Sequence, residues 1–136
     1  MAIKNIYTLP KLYTTEQLNE FLNQMYNNIR INLIENIINK PVEFGFMKDF
    51  GLTPNQRIEM VSLLETELNK ITNNKYNDWN THVINIVISS IISSLNSIQK
   101  LGKINIFSPE EMVDFIYYII VYQIHNLISE DLLIDL

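Results

Sequence analysis

The sequence predicts an all-α fold: a four-helix, mostly antiparallel bundle with an N-terminal arm and one long connection between the first two helices. Three observations carry this. Four helix starts are spelled out along the 136 residues, at Thr14-Thr15-Glu16-Gln17, Thr53-Pro54-Asn55-Gln56, Asp78-Trp79-Asn80-Thr81 and Ser108-Pro109-Glu110-Glu111. Each opens a long segment with apolar residues every three or four positions, the spacing of one helical face. The chain is also 47% hydrophobic and only 18% charged, enough apolar material for one core over residues 1–136.

The start signatures have a physical basis. The first backbone N–H groups of a helix lack partners within it. A Ser, Thr or Asp oxygen accepts from one of them, and a Glu or Gln three residues on reaches back to the cap. Pro54 and Pro109 stand at the first helical position, where no donor is lost.

Residues 1–13 form the arm, in which Pro10 prevents a helix. Tyr7, Leu9, Leu12 and Tyr13 are too apolar for a free tail, so the arm either packs on the bundle or reaches a partner chain. The first helix is expected from about Thr15 to Asn39, with Leu18, Phe21, Leu22, Met25, Tyr26, Ile29, Leu33, Ile37 and Ile38 as its stripe. Pro41 ends it. The connection Pro41 to Leu52 carries Phe44, Phe46, Met47 and Phe50. A long connection with its own apolar content is often functional. These four residues are therefore candidate protein-binding residues, the competing reading being that they plug one end of the bundle.

The second helix is expected from Pro54 to about Thr72, with Ile58, Val61, Leu64, Leu68 and Ile71 inward. Asn73 to Asn77 is a turn-forming run. The third helix, about Asp78 to Lys100, is apolar over most of its circumference (Trp79, Val83, Ile84, Ile86, Val87, Ile88, Ile91, Ile92, Leu95, Ile98), which predicts burial. Gly102 is its left-handed terminator. The fourth helix runs from Pro109 to about Ile128, and the tail to Leu136 can add one more turn. Its Tyr117, Tyr118 and Tyr122 lie partly off the apolar face. They complete the set of candidate protein-binding residues and make a homodimer one expectation.

Composition removes several function classes. There are no cysteines, hence no disulfide framework, thiol nucleophile or thiolate metal site. The net charge of −5 and the scattered ten basic residues argue against nucleic acid. The N-terminal residues carry no secretory signal, and the most apolar run, Phe115 to Tyr122, is far short of a membrane span. A cytoplasmic protein of a bacterial or infected host cell, with no membrane partner, is the expectation. Twenty-three Ile and eighteen Asn against a single alanine, Ala2, fit an AT-rich genome such as that of a low-GC bacterium or its phage.

Catalytic chemistry is sparse. Asp78 and His82 are four residues apart and share a helical face, which is half of a catalytic or metal constellation. The simpler reading is a capping Asp beside a surface His. His125, late in the fourth helix, complements the dipole there. No Glu precedes either histidine by three residues, so the di-iron bundle pattern is absent. There is no Gly-rich phosphate loop, no Gly-x-Ser-x-Gly and no His-Glu-x-x-His. Neither arginine is followed by a nearby histidine. No cofactor, metal ligand or catalytic residue is assigned.

Asp78-Trp79-Asn80 opens the most apolar helix, directly after an amphipathic one. In this the chain resembles Bcl-2-like proteins, where an Asn-Trp-Gly-Arg element opens the central apolar helix. Asn80 stands in place of the Gly and Thr81 in place of the Arg that pairs with helical ligands. The resemblance implies a viral decoy of that family as one alternative. The expectation from the residues themselves is a non-enzymatic, acidic helical protein that acts by binding another protein, of inhibitor, immunity or anti-defence type. A structural subunit of a virion or larger assembly and a helical nuclease or toxin are the remaining alternatives.

Overall fold

The computed structural model of the chain describes residues 12–35, 54–102 and 108–133. Four helices make up almost all of this: α1 (Thr15–Leu33), α2 (Pro54–Thr72), α3 (Asn77–Lys100) and α4 (Pro109–Leu132). They form an all-α four-helix bundle in which α1 packs on α2 and α4, and α3 packs on the same two.

Two of the predicted starts close as full capping boxes. Thr14 accepts from Gln17 N–H while the Gln17 side chain takes the Thr14 N–H. Ser108 and Glu111 do the same at α4, with Pro109 in the first turn. The third start differs by two residues. The carbonyl of Tyr76 accepts from Asn80 N–H, so Asp78 lies inside the first turn of α3 rather than at its cap. A carboxylate there still faces the positive end of the helix dipole. Thr53 falls outside the described residues.

Side-chain pairs fix the directions. Arg30 and Tyr26 of α1 meet Asp114 and Tyr117 of α4, while Tyr13, just before α1, bridges to Leu133 beyond the end of α4. The two helices are therefore antiparallel. Trp79 at the start of α3 donates to Asp131 at the end of α4, 3.2 Å away, so that pair is antiparallel too. Asn69 and Asn80 join the close of α2 to the opening of α3 across a short turn. In that turn Asn73 and Asn74 take positive φ, 55° and 61°, which Asn tolerates better than most residues. Gly102 ends the α3 segment at φ +68°, in the left-handed region.

The part of the arm that is described packs on the bundle. Leu12 and Tyr13 N–H groups both reach the Leu132 carbonyl, and the Tyr13 hydroxyl donates to Ile71 O at 2.6 Å. Burial, then the neighbouring Tyr76, raises the Tyr13 pKa. Residues 1–11 and the Pro41 to Leu52 connection lie outside the described residues.

The core is built largely of the expected residues, with α3 and α4 supplying most of its isoleucine. Each fully buried Ile or Leu contributes roughly 1.5–3 kcal/mol of transfer free energy. Two expectations shift. Ile58 is 64% exposed, and Met60 takes the inward position, because Met60, Leu64, Leu68 and Ile71 form the row that faces the core. Phe21 is 37% exposed at the edge of α1, where Tyr13 packs edge-on against its ring. Glu67 is buried within the α2 row. Its carboxylate accepts from Asn28 of α1 and pairs with Lys70, which offsets the cost of removing a charge from water. Asn80 is buried as well and donates to Asn69 and Thr72, clasping α2 to α3.

Among the described residues one stretch, Asn77–Ile98 of α3, is long and apolar enough to cross a membrane by length and composition. Here its apolar side, including Val83, Val87, Ile88, Ile91 and Leu95, lies in the bundle core. Its other side carries Thr81, Asn85, Ser89, Ser93 and Ser97 at four-residue spacing, all exposed.

Candidate interaction surface

The surface begins with the composition of α4. Its 24 residues contain five carboxylates and neither Lys nor Arg. One side is wholly apolar and buried: Met112, Val113, Ile116, Ile120, Ile124 and Ile128. That burial fixes the rotation of the helix and thereby dictates what faces water. Glu110, Asp114, Tyr118, Tyr122 and Asn126 follow at four-residue spacing along the outer side, all exposed.

Tyr118 and Tyr122 are 69% and 49% exposed. Their ring centres are 6.2 Å apart and their planes tilted by 48°. Residues four apart on a helix are neighbours, so the pair forms one aromatic platform rather than two isolated rings. Packing one tyrosine on the other also limits the rotamers each can visit in the free protein.

Tyr117 belongs to a different environment. It is half-buried in the seam between α1 and α4, edge-on to Tyr26 at 6.5 Å between centroids. The Arg30 guanidinium lies 5.7 Å from the Tyr117 ring centre and 3.0 Å from Asp114 Oδ1. One arginine thus satisfies a carboxylate and a ring face together. The Tyr26 hydroxyl beneath is buried, with no hydrogen-bond partner among the described residues. Burial, and next the nearby Tyr117, pushes its pKa well above that of an ordinary phenol.

Of the seven residues singled out from sequence, Tyr117, Tyr118 and Tyr122 are thus placed, and only the last two share the outer face. Phe44, Phe46, Met47 and Phe50 lie outside the described residues. Sequence reasoning passed over both Arg30 and Asp114. No sequence signal announces their pairing, because it joins residues 84 positions apart.

His82 lines a groove of about 520 Å³ beside α3, with Ile86, Ser90, Ser94 and Gln123 of α4 among its other walls. His125 is exposed on α4, and its carbonyl accepts from Ser129. Among the described residues no group of three His, Asp or Glu side chains is placed to hold a metal ion.

Compared with protein-family models, with curated proteins and with solved structures, the chain matches none.

Proposed function

We propose that this is a non-enzymatic protein that acts by binding another protein, and that the outer face of α4 is its contact surface. The observation that supports this most is the exposed Tyr118–Tyr122 pair on a helix whose opposite side is fully buried. Large aromatic rings are costly to leave in water, and tyrosine is enriched where one protein meets another. A few such residues carry most of the energy of a typical interface. Several titratable groups join helices: Glu67 with Asn28, Asp131 with Trp79, and one side of Asp114 with Arg30. The acidic charge and the Ile- and Asn-rich composition fit an inhibitor or immunity-type factor of a phage or low-GC bacterium.

The test is paired affinity capture from a candidate host lysate, using the wild-type chain and the Tyr118→Ala/Tyr122→Ala variant. A protein retained by the first and lost by the second, with both baits equally folded, supports the reading. Identical profiles from the two baits contradict it.

A further inference from the structure

We propose that the outer face of α4 takes a basic partner segment, with an arginine of that partner laid across Tyr118 and Tyr122 and paired to the carboxylates of the helix's first turns. This rests on the reading of that face as a protein-binding surface and names the chemistry of what it binds.

The first argument is a spacing used twice. Asp114 sits one helical turn before Tyr117 and one turn before Tyr118. On the inward side, the Asp114–Tyr117 arrangement is filled by the chain's own Arg30, which meets the carboxylate at 3.0 Å and the ring at 5.7 Å. On the outward side, Asp114 and Tyr118 offer the same acid-then-ring order to solvent, extended by Tyr122 and preceded by Glu110. On the inward side the protein shows one guanidinium held by a carboxylate and a tyrosine ring one helical turn apart.

Charge selects among occupants. The first turns of the helix carry Glu110, Glu111 and Asp114, all exposed, and the helix has neither Lys nor Arg, in a chain of net charge −5. Polyanions such as nucleic acid are repelled by such a face. A second copy is disfavoured too. The α4 of a second copy carries neither Lys nor Arg to pair with Glu110 or Asp114. A basic segment gains from the exposed Glu110, Glu111 and Asp114 carboxylates. Arginine suits it better than lysine, because a planar guanidinium stacks on a ring while still donating to a carboxylate.

The test uses the full chain and three fluorescent synthetic helical peptides on one neutral frame, bearing arginines, lysines or glutamates one turn apart. Titration by anisotropy should show the arginine peptide binding, the lysine twin several-fold weaker and the glutamate twin not at all. Raising the salt should weaken binding. Tyr118→Ala/Tyr122→Ala should weaken the arginine peptide about tenfold, from two exposed cation–π contacts, with the melting temperature lowered by no more than about 5 °C. Tyr118→Phe/Tyr122→Phe should retain it. Equal affinity for the arginine and lysine peptides, or no effect of the alanine variant, overturns the inference. So does a wild-type dimer in light scattering that the alanine variant dissociates, since the occupant is then a second copy. If the arginine peptide fails to bind while capture of a cellular partner still depends on the tyrosines, the basic-segment inference falls and the binding surface stands.

Discussion

Tyr118 and Tyr122 stand one turn apart on the outer face of α4, their ring centres 6.2 Å from each other, directly after the carboxylate of Asp114 in the same row. The burial of Ile116, Ile120 and Ile124 on the opposite side sets that exposure. Rotating the helix to hide the tyrosines would bring isoleucines out. The surface is therefore a consequence of the core, and the two separate cleanly under mutation.

That separation is the first prediction. Tyr118→Ala/Tyr122→Ala should lower stability by no more than about 1 kcal/mol, the value of one aromatic pair at a surface. Ile120→Ala, at a fully buried position, should cost about 2–5 kcal/mol. Urea melts of the two variants measure both. A loss of core size from the tyrosine variant would mean the pair is structural.

The buried Tyr26 hydroxyl gives the second. It has no hydrogen-bond partner among the described residues, so Tyr26→Phe should be neutral or stabilising by up to about 1 kcal/mol. The pH dependence has a definite sign. Burial and Tyr117 raise the folded-state pKa above the ordinary phenol value, so the folded chain holds this proton more tightly than the unfolded one. Stability is full below about pH 10 and falls as pH climbs through the window above it. Chemical denaturation across that range should show a steeper decline for wild type than for Tyr26→Phe. Parallel curves would mean the hydroxyl reaches water or a partner.

The caps give the third. Thr14→Ala and Ser108→Ala each break a capping box and should cost about 1 kcal/mol. A null result at both would place the helix starts elsewhere.

At Gly102, φ is +68° and nothing lies within 4 Å of where a Cβ would sit. Gly102→Ala should therefore cost on the order of 1–2 kcal/mol from backbone strain alone. Gly102→Asn should cost less, since Asn tolerates this region better. Equal losses for the two would point to a cause other than φ.

The helices were legible because an apolar period marks each one, and at α1 and α4 a capping box coincides with it. What the sequence could not give was helix rotation to better than one position. In α2, Ile58 and Met60 are both apolar, and only the packed row through Leu64, Leu68 and Ile71 decides that Met60 points inward. Glu67 interrupts that row, and its partner Asn28 lies on another helix. The same uncertainty hid the division among the tyrosines. Tyr117 and Tyr118 are adjacent in sequence, yet about 100° of helical rotation puts one in a seam and the other in water. At α3, Asp78 reads as the cap, and the structure starts the helix two residues earlier, with the Tyr76 carbonyl accepting from Asn80 N–H.

The claim that the outer face of α4 is where this protein meets its partner is tested most directly by site-specific photo-crosslinking in candidate host cells. A photoreactive phenylalanine analogue is placed at Tyr118, at Tyr122 and, as control, at Glu65, which is exposed on α2. The account predicts one and the same heavy adduct from positions 118 and 122 and none from 65. No adduct from either tyrosine position, or an equal adduct from Glu65, would contradict it.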